Sequence, residues 1–533
     1  MTAVPLSAER ESVASLWMLA LAWLVLLIFA EGWFFWLHLP YDQKPDQDWV
    51  LAYNALVMNA GLPQEYFDHT GYAYLLLLTG WFRLLHAVGA LPIATVTALP
   101  PTSDTAAFEL AWQQAIEAGR VLTLFILSAF TVAFAVLVAR LFDDRRIGFL
   151  AGLALATGGG AVSQVGLLRT EPLSSLCVVT AVLLVAIVAS GRWREQRFVV
   201  LGFAAFCAVF AVLTKVSGFL PLVIVPLVAV LSVPAPDALR DAARPLGRRT
   251  TVALAVLAVL VAVPAAMIAF AGLSRVGESL YPYRPLGWGP LAWYQALFLV
   301  WVFGGVAVCG RLWRTRALGA FAASAAIVIG AGLGLAVLMI RPELQNIIAA
   351  THPIEHLFVF SVWSDPALGQ QTTVLGGTIL GKLVAAFGQI VVSHITQPTS
   401  DNLFLLDWLV VVALPFAFRD RDRRWAMLAA LLLLTSLGLQ ATFLLRYGNK
   451  TYHIYSDPFT ILAAAVVVAR FRWILGTYAG TALVIVGMGY FGIWGVRETV
   501  RLASLPPDNP AEICLAHDAY LKRIDSLPFC PGS

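Results

Sequence analysis

Thirteen stretches of this 533-residue chain read as membrane spans, and that repetition restricts its fold more than any other feature. A helix needs about 20 mainly apolar residues to cross the hydrocarbon core, where only helices and closed barrels satisfy every backbone amide. The runs fall at about 14–37, 117–141, 147–167, 172–190, 198–213, 218–233, 250–272, 290–309, 317–340, 403–418, 425–445, 457–471 and 474–495. Composition agrees, with 60% hydrophobic and 12% charged residues, where soluble domains run near half and a quarter. The chain is therefore expected to be an all-α polytopic membrane protein. A soluble enzyme is excluded, and the length reads as one bundle. The net charge of +4 is spread over short loops and carries no nucleic-acid signature.

The apolar run from Val13 to Leu37 is too long for a signal peptide and no small-residue cleavage site ends it, so it reads as a first span that stays. Orientation follows from the Lys/Arg bias of short loops. The segments 143–146, 191–197, 238–249, 310–316 and 419–424 are basic and fall on one side of thirteen spans drawn from a cytoplasmic N-terminus. The opposite, outer side receives the first outer loop (38–116), the large outer loop (341–402) and a tail at 496–533. A disulfide between Cys514 and Cys530 becomes plausible there. Tyr41–Leu62 is polar and acidic. Tyr72–Val88 is apolar but interrupted by Arg83 and His86, and it reads as an amphipathic helix lying at the interface or partly re-entrant. Thr373–His394 shares that ambiguity.

The densest set of chemically able side chains lies in the first outer loop: Asp42, Lys44, Asp46, Asp48, Glu65, Asp68 and His69. Asp46 or Asp48 could act as general base for an acceptor hydroxyl. Asp48, Asp68 and His69 could equally hold a divalent cation, and a solvated acidic loop is the plain alternative. Arg169 and Glu171 bracket the start of a span, as headgroup anchors or as part of an outer cavity. Lys215 sits between two apolar runs and either snorkels or faces the same cavity. Arg446, Lys450, Tyr452, His453 and Tyr455 lie between two late spans, where cations on the outer side ask for an anionic partner. His352 and His356 have helical spacing, but Pro353 spoils a helix there, so a metal site on them is not favoured. No phosphate-cradling GxxxxGK[ST] or HExxH occurs, and Gly158–Gly160 reads as an aid to close helix packing.

In this order the residues resemble the GT-C superfamily of integral membrane glycosyltransferases that use polyprenyl-phosphate sugars. The protein O-mannosyltransferases and the aminoarabinose transferases of lipid A look most similar. Their first outer loop opens with an acidic pair, continues as a short helix ending in Met-x-x-x-Gly, and then reads Tyr-Phe-Glu-Lys or similar. Here Asp46-Gln47-Asp48 opens the loop, Met58-Asn59-Ala60-Gly61 ends the helix and Tyr66-Phe67-Asp68-His69 follows. One residue must be deleted between Met58 and Gly61 to bring Asp46 to the base position. Gln47 replaces the usual second acid, which leaves Asp48 a rival base.

The resemblance implies a GT-C-type bundle of about 13 spans with amphipathic juxtamembrane helices in its outer loops. It also implies inverting transfer from a polyprenyl-phosphate sugar to a hydroxyl on a glycan, lipid or protein. Asp46 or Asp48 would be catalytic, while His69, Arg169, Lys215, Arg446, Lys450 and His453 would hold the donor phosphate. Asp68, Glu171, Tyr452 and Tyr455 would support them. The expected place is a bacterial inner (plasma) membrane, with the site on the periplasmic or extracellular face. No nucleotide is needed, and a divalent metal on Asp48, Asp68 and His69 is a candidate cofactor. A transporter or flippase of an anionic or lipid-linked substrate, or a lipid-pyrophosphate-dependent ligase or polymerase, stays open as an alternative.

Overall fold

The computed structural model describes residues 6–35, 37–42, 45–65, 71–193, 195–233, 248–274, 297–298, 300–302, 305, 317–341, 379–396, 403–419, 423–444, 452–470 and 478–503, and in the C-terminal segment 514, 517, 521–524, 527 and 530. Within these the chain is helical and forms no strand. In order come α1 (Leu6–Phe35), α2 (Pro45–Asn59), α3 (Tyr72–Ala87), α4 (Thr105–Phe142), α5 (Arg145–Ala156), α6 (Gly159–Val162), α7 (Glu171–Ala189), α8 (Arg197–Thr214) and α9 (Val225–Leu231). There follow α10 (Arg248–Ser274), α11 (Ala317–Ala336), α12 (Ile379–Thr396), α13 (Phe404–Phe418), α14 (Arg424–Leu444), α15 (His453–Arg470) and α16 (Tyr478–Ala503). Among the described residues six helices are long and apolar enough to cross a membrane. The protein is an all-α, multi-pass membrane protein. Six of the thirteen expected spans coincide with these helices and others with α10, α13, α15 and α16; the run at 290–309 lies largely outside the described residues.

Local chemistry fixes the ends. Between α4 and α5 the chain reverses within two aspartates. Asp143 takes the left-handed conformation that closes α4 (φ 58°), and the Asp144 carboxylate accepts from the Arg146 and Ile147 amides to cap α5. α7 is the central span: it packs against α4, α8, α9 and α15, and nearly every residue from Glu171 to Ala189 is buried. Outer helices turn apolar side chains away from the protein, including Leu16, Leu19 and Leu26 of α1 and Val256, Leu260 and Met267 of α10, each more than half exposed. That surface is fit for lipid and not for water.

Three expectations need correction. The run at 147–167 is not one span: α5 ends at Ala156, the short α6 follows, and the chain then turns through 163–170. The run at 218–233 is α-helical only from Val225; Val216–Ile224 is a 3₁₀ helix containing Pro221, which has no N–H for an α-helical bond. Tyr41–Leu62, read as polar, contains a buried helix, because Trp49 through Met58 are all 2% exposed or less. Its few acids at the start hid a continuous apolar segment. As expected, Tyr72–Ala87 forms a helix outside the long spans, burying Tyr72, Tyr74, Leu75, Leu78 and Phe82 and leaving Leu77 and Leu84 exposed.

The ends of α1, α5, α7, α8 and α15 meet at one end of the bundle, and the first polar segment docks there. Gly71, which precedes α3, donates its amide to the Thr214 carbonyl at the end of α8 (3.1 Å). A Cβ on Gly71 would lie 2.1 Å from the Leu213 and Thr214 carbonyl oxygens, so the position requires glycine. Gly160 is similarly pressed on the start of α15, 2.3 Å from the Ile454 nitrogen as measured from a built Cβ, which gives the glycine run the packing role expected of it. Gly71→Val should therefore lower stability by about 1–3 kcal/mol, measured as thermal unfolding in detergent. Gly80→Ala, in open space on α3, should be neutral or slightly stabilising.

Candidate active site at one end of the bundle

The site is built around a buried ion pair. Asp48, in the first turns of α2, is fully buried with Arg120 of α4. The Arg120 guanidinium donates to Asp48 Oδ2 from Nη2 (2.7 Å) and Nε (3.2 Å), and the Leu168 amide donates to Oδ1 (2.6 Å). Arg120 Nη1 also donates to the Leu37 and Leu39 carbonyls. One carboxylate and one guanidinium thus tie together the chain after α1, the start of α2, the middle of α4 and the turn before α7. Tyr74 of α3 lies near Asp48 and Glu171, and burial holds its phenol above the usual range, so it is a neutral polar group there.

Beside this node sits an unbalanced cluster. Glu171 opens α7 and Lys215 closes α8; both side chains are fully buried, with Lys215 Nζ 3.1 Å from Glu171 Oε1. Arg169 approaches the same oxygen with Nη1 at 3.9 Å and is 12% exposed. Lys215 therefore does not snorkel, and Arg169 and Glu171 are not headgroup anchors. Two cations share one carboxylate, and Arg169 Nε is buried with no hydrogen-bond partner among the described residues. Buried donors of this kind cost free energy unless a ligand with acceptor oxygens completes them.

The start of α15 forms another wall. Ser175 of α7 donates to the Ile454 carbonyl (2.6 Å), and the Asp457 carboxylate accepts from the Gly160 amide (2.9 Å). Tyr452 and Tyr455 are buried and pack on Phe443 of α14, with ring centroids 5.0 and 5.7 Å away. His453 is half-buried at the first position of α15. The backbone places Asp46 in the first turn of α2, two residues before Asp48. Asp68, His69, Arg446 and Lys450 lie outside the described residues.

Sequence reading missed Arg120, the Leu168 amide and Asp457. The signal was available for the two charged residues, since each interrupts an apolar span where a charge seldom lies without a partner. The Leu168 amide left no trace because it depends on the turn at 163–170. A metal reading of Asp48 does not fit: its oxygens receive three N–H donors, and a guanidinium stands where a cation would. Among the described residues no group of three or more His, Cys, Asp or Glu side chains is placed to hold a metal ion.

No family model and no curated protein matches the chain. Among solved structures, the apo form of the oligosaccharyltransferase from Archaeoglobus fulgidus resembles it at 12% identity with a TM-score of 0.49. The likeness covers 93% of this chain and 57% of that one, so this chain spans a little over half of that structure's length.

Removing one member of a fully buried pair strands the other charge and costs about 3–5 kcal/mol. Asp48→Ala and Arg120→Ala should each lower the unfolding temperature sharply, and the Asp48→Leu/Arg120→Met double variant should recover much of the loss. Equal and additive losses in thermal unfolding would contradict the pairing.

Proposed function

We propose that this protein is an inverting, GT-C-type glycosyltransferase that moves a sugar from a polyprenyl-phosphate donor to a hydroxyl acceptor on the periplasmic or extracellular face of a bacterial inner membrane. The observation that carries the proposal is the Arg169–Glu171–Lys215 cluster, a buried lysine and a mostly buried arginine sharing one carboxylate at the bundle end where α2 docks. Together with the Asp46-Gln47-Asp48 and Met58-x-x-Gly61 pattern, it supports an anionic donor beside an acidic base. A lipid-linked phosphate suits the place, because its polyprenyl tail can stay in the bilayer while its oxygens meet charge-assisted donors.

In this mechanism Asp46 accepts the proton of the acceptor hydroxyl. The acceptor oxygen attacks the anomeric carbon on the face opposite the phosphate, and the bond from that carbon to the phosphate oxygen breaks with its electron pair on the leaving group. The polyprenyl phosphate leaves as an anion, and Lys215 and Arg169 stabilise its growing charge. His69, Arg446, Lys450 and His453 complete the phosphate site, with Asp68, Tyr452 and Tyr455 supporting it. Asp48 is assigned to holding α2, because both its oxygens are engaged. About 200° of helical rotation separates its position from that of Asp46. The first outer loop (38–116) and the large outer loop (341–402) belong to the transmembrane module (1–495), and 496–533 is a short tail on the same outer side.

Asp46→Asn should lower transfer by at least about a hundredfold while thermal stability and donor binding stay near wild type. Normal turnover of Asp46→Asn would overturn the base assignment. Lys215→Met and Arg446→Ala should each lower kcat/KM roughly ten- to hundredfold, corresponding to about 1.5–3 kcal/mol per charged contact. Arg446→Lys should be milder, since it keeps the charge and loses only the planar fork.

A further inference from the structure

The C-terminal segment is docked on α2. Cys514 and Cys530 form a disulfide, and within the loop it closes, Leu521 and Leu527 are each 1% exposed and belong to the main apolar core. The Arg523 amide donates to the Tyr53 hydroxyl oxygen (3.0 Å) and its guanidinium donates to Glu65 Oε1. Tyr53 in turn donates to Glu65 Oε2 (2.6 Å), and the Glu65 amide donates to Asn54 Oδ1 (2.9 Å). Four groups thus fix the chain as it leaves α2, and the next residues in sequence are Tyr66-Phe67-Asp68-His69. Burial, followed by the Glu65 carboxylate, holds the Tyr53 phenol above its usual range, so it remains a proton donor to Glu65.

We propose that the loop closed by the Cys514–Cys530 disulfide is a clasp on the first polar segment, with Arg523 a positioning residue that fixes Glu65 and so the exit of α2. The inference deepens the glycosyltransferase reading and rests on it for its kinetic consequence. The physical reason is division of labour. Asp48 and Arg120 hold the start of α2 from inside the bundle, while its exit is held at Glu65 by Tyr53 and Asn54 of α2 together with Arg523. Leu521 and Leu527 supply the adhesion, and the disulfide keeps the short segment between them folded back on itself. Arg523 supplies direction, because a guanidinium on a carboxylate fixes an angle as well as a distance. Its side chain is 45% exposed, so its contribution is modest.

The test uses the full-length protein in nanodiscs, with Arg523→Ala, Arg523→Lys, Glu65→Arg, the Arg523→Glu/Glu65→Arg exchange and Cys514→Ser/Cys530→Ser. Hydrogen exchange of residues 60–70 is read beside kcat and the KM for a polyprenyl-phosphate sugar. The clasp predicts faster exchange at 60–70 in Arg523→Ala and in the double serine variant. It also predicts kcat lowered roughly three- to tenfold with the unfolding temperature nearly unchanged in Arg523→Ala, and partial recovery in Arg523→Lys and the charge exchange. Unchanged exchange at 60–70 in both Arg523→Ala and the double serine variant overturns the clasp. Altered exchange in a protein that transfers no sugar retains the clasp and refutes the glycosyltransferase reading instead.

Discussion

The rest of the site depends on one buried ion pair. Asp48 and Arg120 lie at zero exposure in a protein whose surroundings are lipid and apolar helix. Neither charge could be placed there alone, because desolvating an ion costs several kcal/mol. The pair is tolerated because every strong donor and acceptor is used. The guanidinium reaches both Asp48 and the carbonyls after α1, and the remaining carboxylate oxygen takes the Leu168 amide. The consequence is positional. α2 can sit in one register against α4 and the turn before α7, and that register places Asp46 relative to Arg169, Glu171 and Lys215.

The second cluster obeys the opposite logic. Where Asp48 and Arg120 balance, Arg169, Glu171 and Lys215 leave one positive charge over. That surplus of positive charge among the described residues is what the proposed anionic donor would balance. On the proposed reading, labour is divided between a closed node that holds the scaffold and a second one that receives the ligand. The main-chain contacts of Gly71 with α8 and of Gly160 with α15 bring the helix ends close enough for both.

Spans were legible in the sequence because apolar length is a direct consequence of bilayer thickness. Breaks within spans were less so. Ala156 and Pro221 sit in runs whose hydropathy continues across the break; at Ala156 the short α6 that follows packs on α15, and at Pro221 the proline itself lacks the N–H of an α-helical bond. Arg169, Glu171 and Lys215 could be picked out as charges out of place, yet their mutual pairing needed three dimensions. Asp48 was a candidate base, and only the positions of Arg120 and Leu168 show that both its oxygens are engaged. The Cys514–Cys530 bridge followed from topology, whereas the burial of Leu521 and Leu527 in the main core and the bonds of Arg523 to Tyr53 and Glu65 did not. Isolated apolar residues in a polar tail have no period to betray them.

The central claim is that the buried cations receive a polyprenyl phosphate. It is tested most directly by photocrosslinking with a polyprenyl phosphate carrying a diazirine next to the phosphate, in protein held in nanodiscs, with adducts mapped by mass spectrometry. The account predicts adducts around Arg169, Lys215 and the start of α15, competed away by unlabelled polyprenyl phosphate and weakened in Lys215→Met. Adducts confined to the lipid-facing surfaces of α1 and α10, unaffected by competitor, would contradict it.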